Sequence, residues 1–246
     1  MIGHSVSERF DERRFDRRLF AAAAIAFPII VLAGFARTYY VKGLFDSPPL
    51  PSILVHFHGL LMTTWVLLFM TQVWFISSKR IRLHQRLGYV GIGLAALIIG
   101  VALPTALRAA KYGSNSSPPG IQPLAFLAIP LFDLLMFVIL FGGAVYFRRR
   151  PAAHKALMLL TAVNFLGPAV ARIPIAQLQA FGPLWFFGFP GALALLCLGL
   201  DTRRHGRVNN IFLTGTLLLL CSYIVRLTLM TTQVWMKFAT WATSFV

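Results

Sequence analysis

Apolar runs long enough to cross a bilayer core, about 20 residues each, recur along this chain from Leu19 almost to its C-terminus, with short polar or Pro/Gly-rich segments between them. The pattern predicts membrane-crossing helices at 19–36, 53–76, 86–107, 122–147, 156–176, 182–200 and 211–235. No stretch remains for a soluble catalytic domain, so any chemistry sits on the helices or their loops. Gly167-Pro168, Pro174 and Pro190-Gly191 interrupt the fifth and sixth runs. They predict kinks whose freed backbone carbonyls need partners from a neighbouring helix or a cavity. The outer loops, Asp46 to Pro51 and Ser114 to Gly120, are rich in turn formers and predict short ordered caps.

Composition agrees with this pattern. At 58% hydrophobic and 12% charged residues, too little polar surface exists for a water-facing shell, and the bilayer is the expected solvent. A net charge of +16 would suggest nucleic acid binding in a soluble protein. Here the basic residues instead fall in four clusters at the ends of apolar runs: Arg9 to Arg18, Lys79 to Arg86, Arg148 to Lys155 and Arg203 to Arg207. These hold 16 Lys/Arg, against five (Arg37, Lys42, Arg108, Lys111 and Lys237) on the opposite side. The positive-inside rule then predicts a cytoplasmic N-terminus and an external C-terminus, which an odd number of spans satisfies. The reading is all-α: a basic cytoplasmic segment, 1–18, and one seven-span membrane domain, 19–246, with core hairpins 53–107 and 122–176. The first apolar run is too long and too weakly terminated for a cleaved signal, and the expected location is a cell membrane, the bacterial inner membrane in particular. Asn115-Ser116-Ser117 matches a glycosylation acceptor on the outer side, with nothing else pointing to a eukaryotic source. Cys197 and Cys221 lie in apolar runs and read as small hydrophobes.

Ionisable residues in hydrocarbon are costly, which makes each one a candidate for function. Inside the predicted spans these are His56, His58, Asp133, Arg172 and Arg226, all in the outer half or near the midplane, with Asn164, Tyr223 and Gln233 as polar neighbours. One reading pairs Asp133 with Arg226 or Arg172 to neutralise buried charge. The other gathers His56, His58 and Asp133 around a metal ion, or the histidines and arginines around a haem propionate or quinone. His56 and His58 are two apart, so on a regular helix only one of them faces the bundle. His58 shares its face with Met62, Trp65 and Phe69, and Gly59 permits close approach of a planar ligand or another helix. A second constellation is at the cytoplasmic edge, where His84 and His154 each stand a few residues before an apolar run. Val73-Trp-Phe followed by a basic cluster and His84 echoes Val145-Tyr-Phe followed by a basic cluster and His154, with 11 and 9 residues from valine to histidine. Two related hairpins packed together would bring these imidazoles into the arrangement that bis-histidine haem requires. His4 and His205 sit in polar segments and take no role.

His58-Gly-Leu-Leu-Met62, followed by a span end and then Lys79-Arg-Ile-Arg-Leu-His84, resembles the core of the ascorbate-dependent transmembrane cytochromes b. His84-Gln-Arg-Leu-Gly88 and His154-Lys-Ala-Leu-Met158 also resemble paired segments of an uncharacterised family of bacterial multipass proteins. The cytochrome resemblance, over spans two to five, implies two haems b, with His58 as an outer ligand and His84 and His154 as the inner pair. The family's second outer histidine is missing, since the fourth span offers only Gln122 and, deeper, Asp133. His56 would substitute, or the outer cluster would hold a metal ion or quinone instead. The expected function is haem b-binding electron transfer in the lipid bilayer with a quinone or redox partner, a membrane oxidoreductase in the enzymatic case. The alternative is a non-redox binding or transport protein with a polar cavity around Asp133, Asn164, Arg172 and Arg226. A metal hydrolase built on His56, His58 and Asp133 lacks an obvious general base.

Overall fold

The computed structural model describes residues 6–113 and 120–246, with side chains from Arg18 onward. All regular structure among them is helical: α1 (Val6–Phe35), α2 (Ile53–Ser77), α3 (Ile81–Tyr112), α4 (Pro123–Phe126), α5 (Ala128–Tyr146), α6 (Pro151–Asn164), α7 (Leu166–Val170), α8 (Ala176–Gln179), α9 (Pro183–Phe186), α10 (Gly188–His205), α11 (Asn210–Leu229) and α12 (Gln233–Thr243). Seven helical stretches are long and apolar enough to cross a membrane: Arg18–Tyr40, Ile53–Ser77, Ile81–Tyr112, Pro123–Tyr146, Pro151–Val170, Pro183–His205 and Asn210–Leu229. The polytopic all-α bundle expected from the sequence is therefore the architecture observed. Asn115-Ser116-Ser117 and His4 lie outside the described residues.

Three of the expected span boundaries are shifted. The third span starts at Ile81, so His84, Arg82 and Arg86 ride on its first turns instead of standing in a loop before it. The same holds for His154, inside α6. At the other end, the seventh span stops at Leu229 and residues to Trp235 do not continue it. The Thr232 hydroxyl accepts from the Trp235 backbone N–H (3.2 Å) and starts α12 afresh, as an N-cap does.

Three internal breaks share one cause. A proline cannot donate to the carbonyl four residues back and its ring collides with it. The chain breaks between α4 and α5 just after Phe126, four before Pro130. It breaks between α6 and α7 just after Asn164, four before Pro168, and between α9 and α10 just after Phe186, four before Pro190. Pro28 and Pro104 remain within α1 and α3, which continue past them.

The packing centre is α6. In the most apolar window of its span 67% of residues are buried, against 22–39% for the other six. Leu157, Leu160 and Val163 of α6 join Met136 and Leu140 of α5, Cys197 of α10 and Leu219 of α11 in the largest core. The hairpins α2–α3 and α5–α6 pack together through Trp65, Leu94, Ile98 and Phe137, with the Trp65 and Phe137 rings 5.1 Å apart. Helix α1 lies against α7, where a Cβ on Gly34 would stand 2.1 Å from the Ala169 carbonyl oxygen; the two backbones touch there because Gly34 has no side chain. The basic segments Lys79 to Arg86 and Arg148 to Lys155 are brought to one end, and Asn209, just past the Arg203 to Arg207 cluster, donates to the Ala152 carbonyl there (3.3 Å). By the positive-inside rule this is the cytoplasmic end.

Candidate functional site

At the basic end the hairpins bring His84 and His154 face to face. The ring centres are 6.2 Å apart and the planes are inclined by 77°. His154 Nδ1 donates to the Ala144 carbonyl on α5 (2.8 Å), which orients the ring. His84 Nδ1 is buried with no hydrogen-bond partner. Each ring thus keeps at least one uncommitted nitrogen. Gln72, on α2, was not singled out in the sequence, although an amide inside an apolar run is itself a signal. Its Oε1 is buried without a partner. Its Nε2 lies 3.9 Å from where a Cβ on Gly88, one turn beyond His84, would be. An open cavity of about 530 Å³ lined by Lys79, Arg80, Ile81, Arg82 and Leu83 borders the start of α3.

Deeper in the bundle, Arg226 is fully buried and ion-paired with Asp133. Its Nε donates to the Ser222 carbonyl (3.1 Å) and an Nη to the Ser222 hydroxyl (3.0 Å). The guanidinium carbon is 5.2 Å from the ring centres of both Phe187 and Tyr223, and 5.8 Å from that of Phe132. Asn164 donates to the Asp133 backbone carbonyl (2.9 Å) from the α6 break, and its own Oδ1 is buried without a partner. This cluster neutralises a buried cation with a carboxylate, hydroxyl, carbonyl and aromatic faces, leaving little of either charge for a third party.

The outer residues do not form the single cluster expected. His56 is exposed and lines an open groove of about 540 Å³ with Tyr39, Ile53, Leu54, Phe57 and Leu60, while Tyr39 donates its hydroxyl proton to the His56 carbonyl (3.1 Å). His58 is the one that faces inward: it is half-buried, and its Nδ1 is buried and unpartnered. Gly59 admits a neighbouring helix, since a Cβ there would stand 2.5 Å from the Tyr39 ring. Arg172 follows α7, donates to the Pro168 carbonyl (2.8 Å) and lies 5.0 Å from the Phe35 ring centre. Burial pushes its guanidinium down from the usual arginine range. Among the described residues no three His, Cys, Asp or Glu side chains are grouped as a metal site, so His56, His58 and Asp133 are not brought together as ligands. Both cysteines are free, Cys197 buried and Cys221 exposed on the bundle surface.

No protein-family model, curated protein or solved structure matches the chain. Its residues alone carry the functional argument.

Proposed function

We propose that this chain is a membrane electron-transfer protein that holds a b-type haem between His84 and His154 at the cytoplasmic end of the bundle, in a cell membrane of the bacterial inner-membrane type. The observation that carries the reading is the imidazole pair. The rings stand 6.2 Å apart on two facing hairpins, and His84 and His154 are the residues that would hold the group between them. The His154–Ala144 hydrogen bond supplies the outer partner that orients a metal-ligating histidine, and Gly88 keeps the face of α3 beyond His84 free of a side chain. Lys79, Arg80 and Arg82 on one hairpin, and Arg148 to Arg150 on the other, would offset the carboxylates of the group. Bound there, haem would supply a one-electron couple near the cytoplasmic surface. The chain's part is to fix the two rings, keep them in a low-dielectric seam and exclude water.

The transport alternative has less support. Asp133 and Arg226 satisfy one another, and Arg172 is held by the Pro168 carbonyl and the Phe35 ring instead of joining them. Protein purified in detergent and reconstituted with haem distinguishes the readings. A Soret band with bis-histidine α and β bands on reduction, lost in His84→Ala and in His154→Ala, is the expected result. Absence of any haem uptake by the folded protein overturns the proposal.

A further inference from the structure

Helix α12 is 11 residues long, about 16 Å at the helical rise and so far short of the roughly 30 Å that a span must cross. Both of its ends are fastened at the outer side of the bundle. The Trp235 indole N–H donates to the Leu124 carbonyl at the start of α4 (2.9 Å). Just past the other end, the Val246 carbonyl accepts from the Lys111 ammonium in the last turn of α3. Leu124 and Lys111 belong to span ends on the same, outer side, so α12 runs along the membrane boundary and not through it.

Its side chains divide into three faces at about 100° per residue. Trp235, Ala239, Ala242 and Thr243 form the face buried against the bundle. Gln233, Lys237, Thr240 and, in the turn that follows, Ser244 form an exposed polar stripe. Val234, Phe238, Trp241 and Phe245 form an exposed apolar stripe roughly 100° around the axis from the polar one. They are 74%, 41%, 60% and 69% exposed, and the rings form a ladder, Phe238 to Trp241 at 5.9 Å and Trp241 to Phe245 at 5.1 Å. A helix surrounded by lipid would not carry the polar stripe, and one surrounded by water would not leave three aromatic rings exposed in a row. Side by side on a helix at the boundary, the two stripes match water on one side and hydrocarbon on the other.

We propose that α12 is an interfacial helix docked on the outer leaflet. Val234, Phe238, Trp241 and Phe245 enter the layer between headgroups and acyl chains, while Gln233, Lys237, Thr240 and Ser244 face water. The partner is the bilayer lipid, and the buried third face ties the inserted stripe to the outer ends of α3 and α4. This surface lies at the opposite end of the bundle from His84 and His154 and does not depend on what they hold.

The test is depth-resolved quenching of Trp241 fluorescence in the full chain, reconstituted in phosphatidylcholine nanodiscs and read as wild type minus Trp241→Phe. Nitroxides are carried at a shallow or a deep position of the lipid acyl chain, and iodide is added to the water. The shallow nitroxide should quench Trp241 roughly twofold or more beyond the deep one, with little quenching by iodide. In Val234→Glu/Phe245→Glu, changed at the two most exposed positions of the stripe, shallow quenching should fall by about half or more and iodide quenching should rise. Strong iodide quenching in wild type places the stripe in water. Protection from both quenchers places it against protein, a second copy included, and stronger deep quenching places it across the bilayer. Each of these overturns the proposal, as does a double variant that behaves as wild type.

Discussion

Arg226 and Asp133 on one side, and His84 and His154 on the other, both pair polar side chains across helices of the same bundle, yet they are completed to opposite degrees. The arginine uses its carboxylate, a serine hydroxyl, a backbone carbonyl and three aromatic faces. The histidines are held in register by the hairpins, one of them by the Ala144 carbonyl, but His84 Nδ1 is buried with no partner among the described residues. A polar pair that consumes its own valences holds helices together. A pair that is positioned and left open is where the proposed haem would be held.

The largest effect should come from splitting the closed pair. Asp133→Leu or Arg226→Leu alone leaves an uncompensated buried charge and should destabilise the protein by about 3–5 kcal/mol, read as unfolding in a detergent titration. The double variant Asp133→Leu/Arg226→Leu should recover most of that loss. If it is no more stable than either single variant, the two residues are not each other's counter-charge. Next in size, Asn164→Leu removes the donor to the Asp133 carbonyl and should cost about 1 kcal/mol, less if the orphaned Oδ1 was itself a burden. The smallest stability change belongs to the open pair. His84→Leu deletes a ring whose nitrogen has no partner, and with no ligand bound it should be neutral within about 1 kcal/mol, while haem binding is lost entirely. A destabilisation of His84→Leu comparable with that of Arg226→Leu would erase the contrast between the pairs.

The seven spans were legible because hydrocarbon demands long apolar runs, and a run is a local property. The facing of His58 and the approach to Gly59 were legible for a similar reason, since helical phase follows from spacing. What could not be read was the sorting of the charged residues. Asp133, Arg172 and Arg226 all fall on the outer side by topology, but which of two arginines takes the one carboxylate depends on how α5, α7 and α11 pack, and that is tertiary. The end of the seventh span was misjudged because Val234, Trp235 and Met236 keep the hydropathy high past the turn, although Thr232 carried the cap signal. The echo between the hairpins told more than either histidine alone, because a similar order of aromatic pair, basic cluster and histidine puts both imidazoles at corresponding helix starts.

The proline-made breaks all lie toward the outer ends of their spans, at Phe126, Asn164 and Phe186, while α3, α5, α6 and α10 run unbroken toward the cytoplasmic end. Mechanically the molecule is a stiff base carrying an articulated crown. The imidazole pair belongs to the base, where a fixed separation matters, and Arg172 belongs to the crown, where short helices meet end to end.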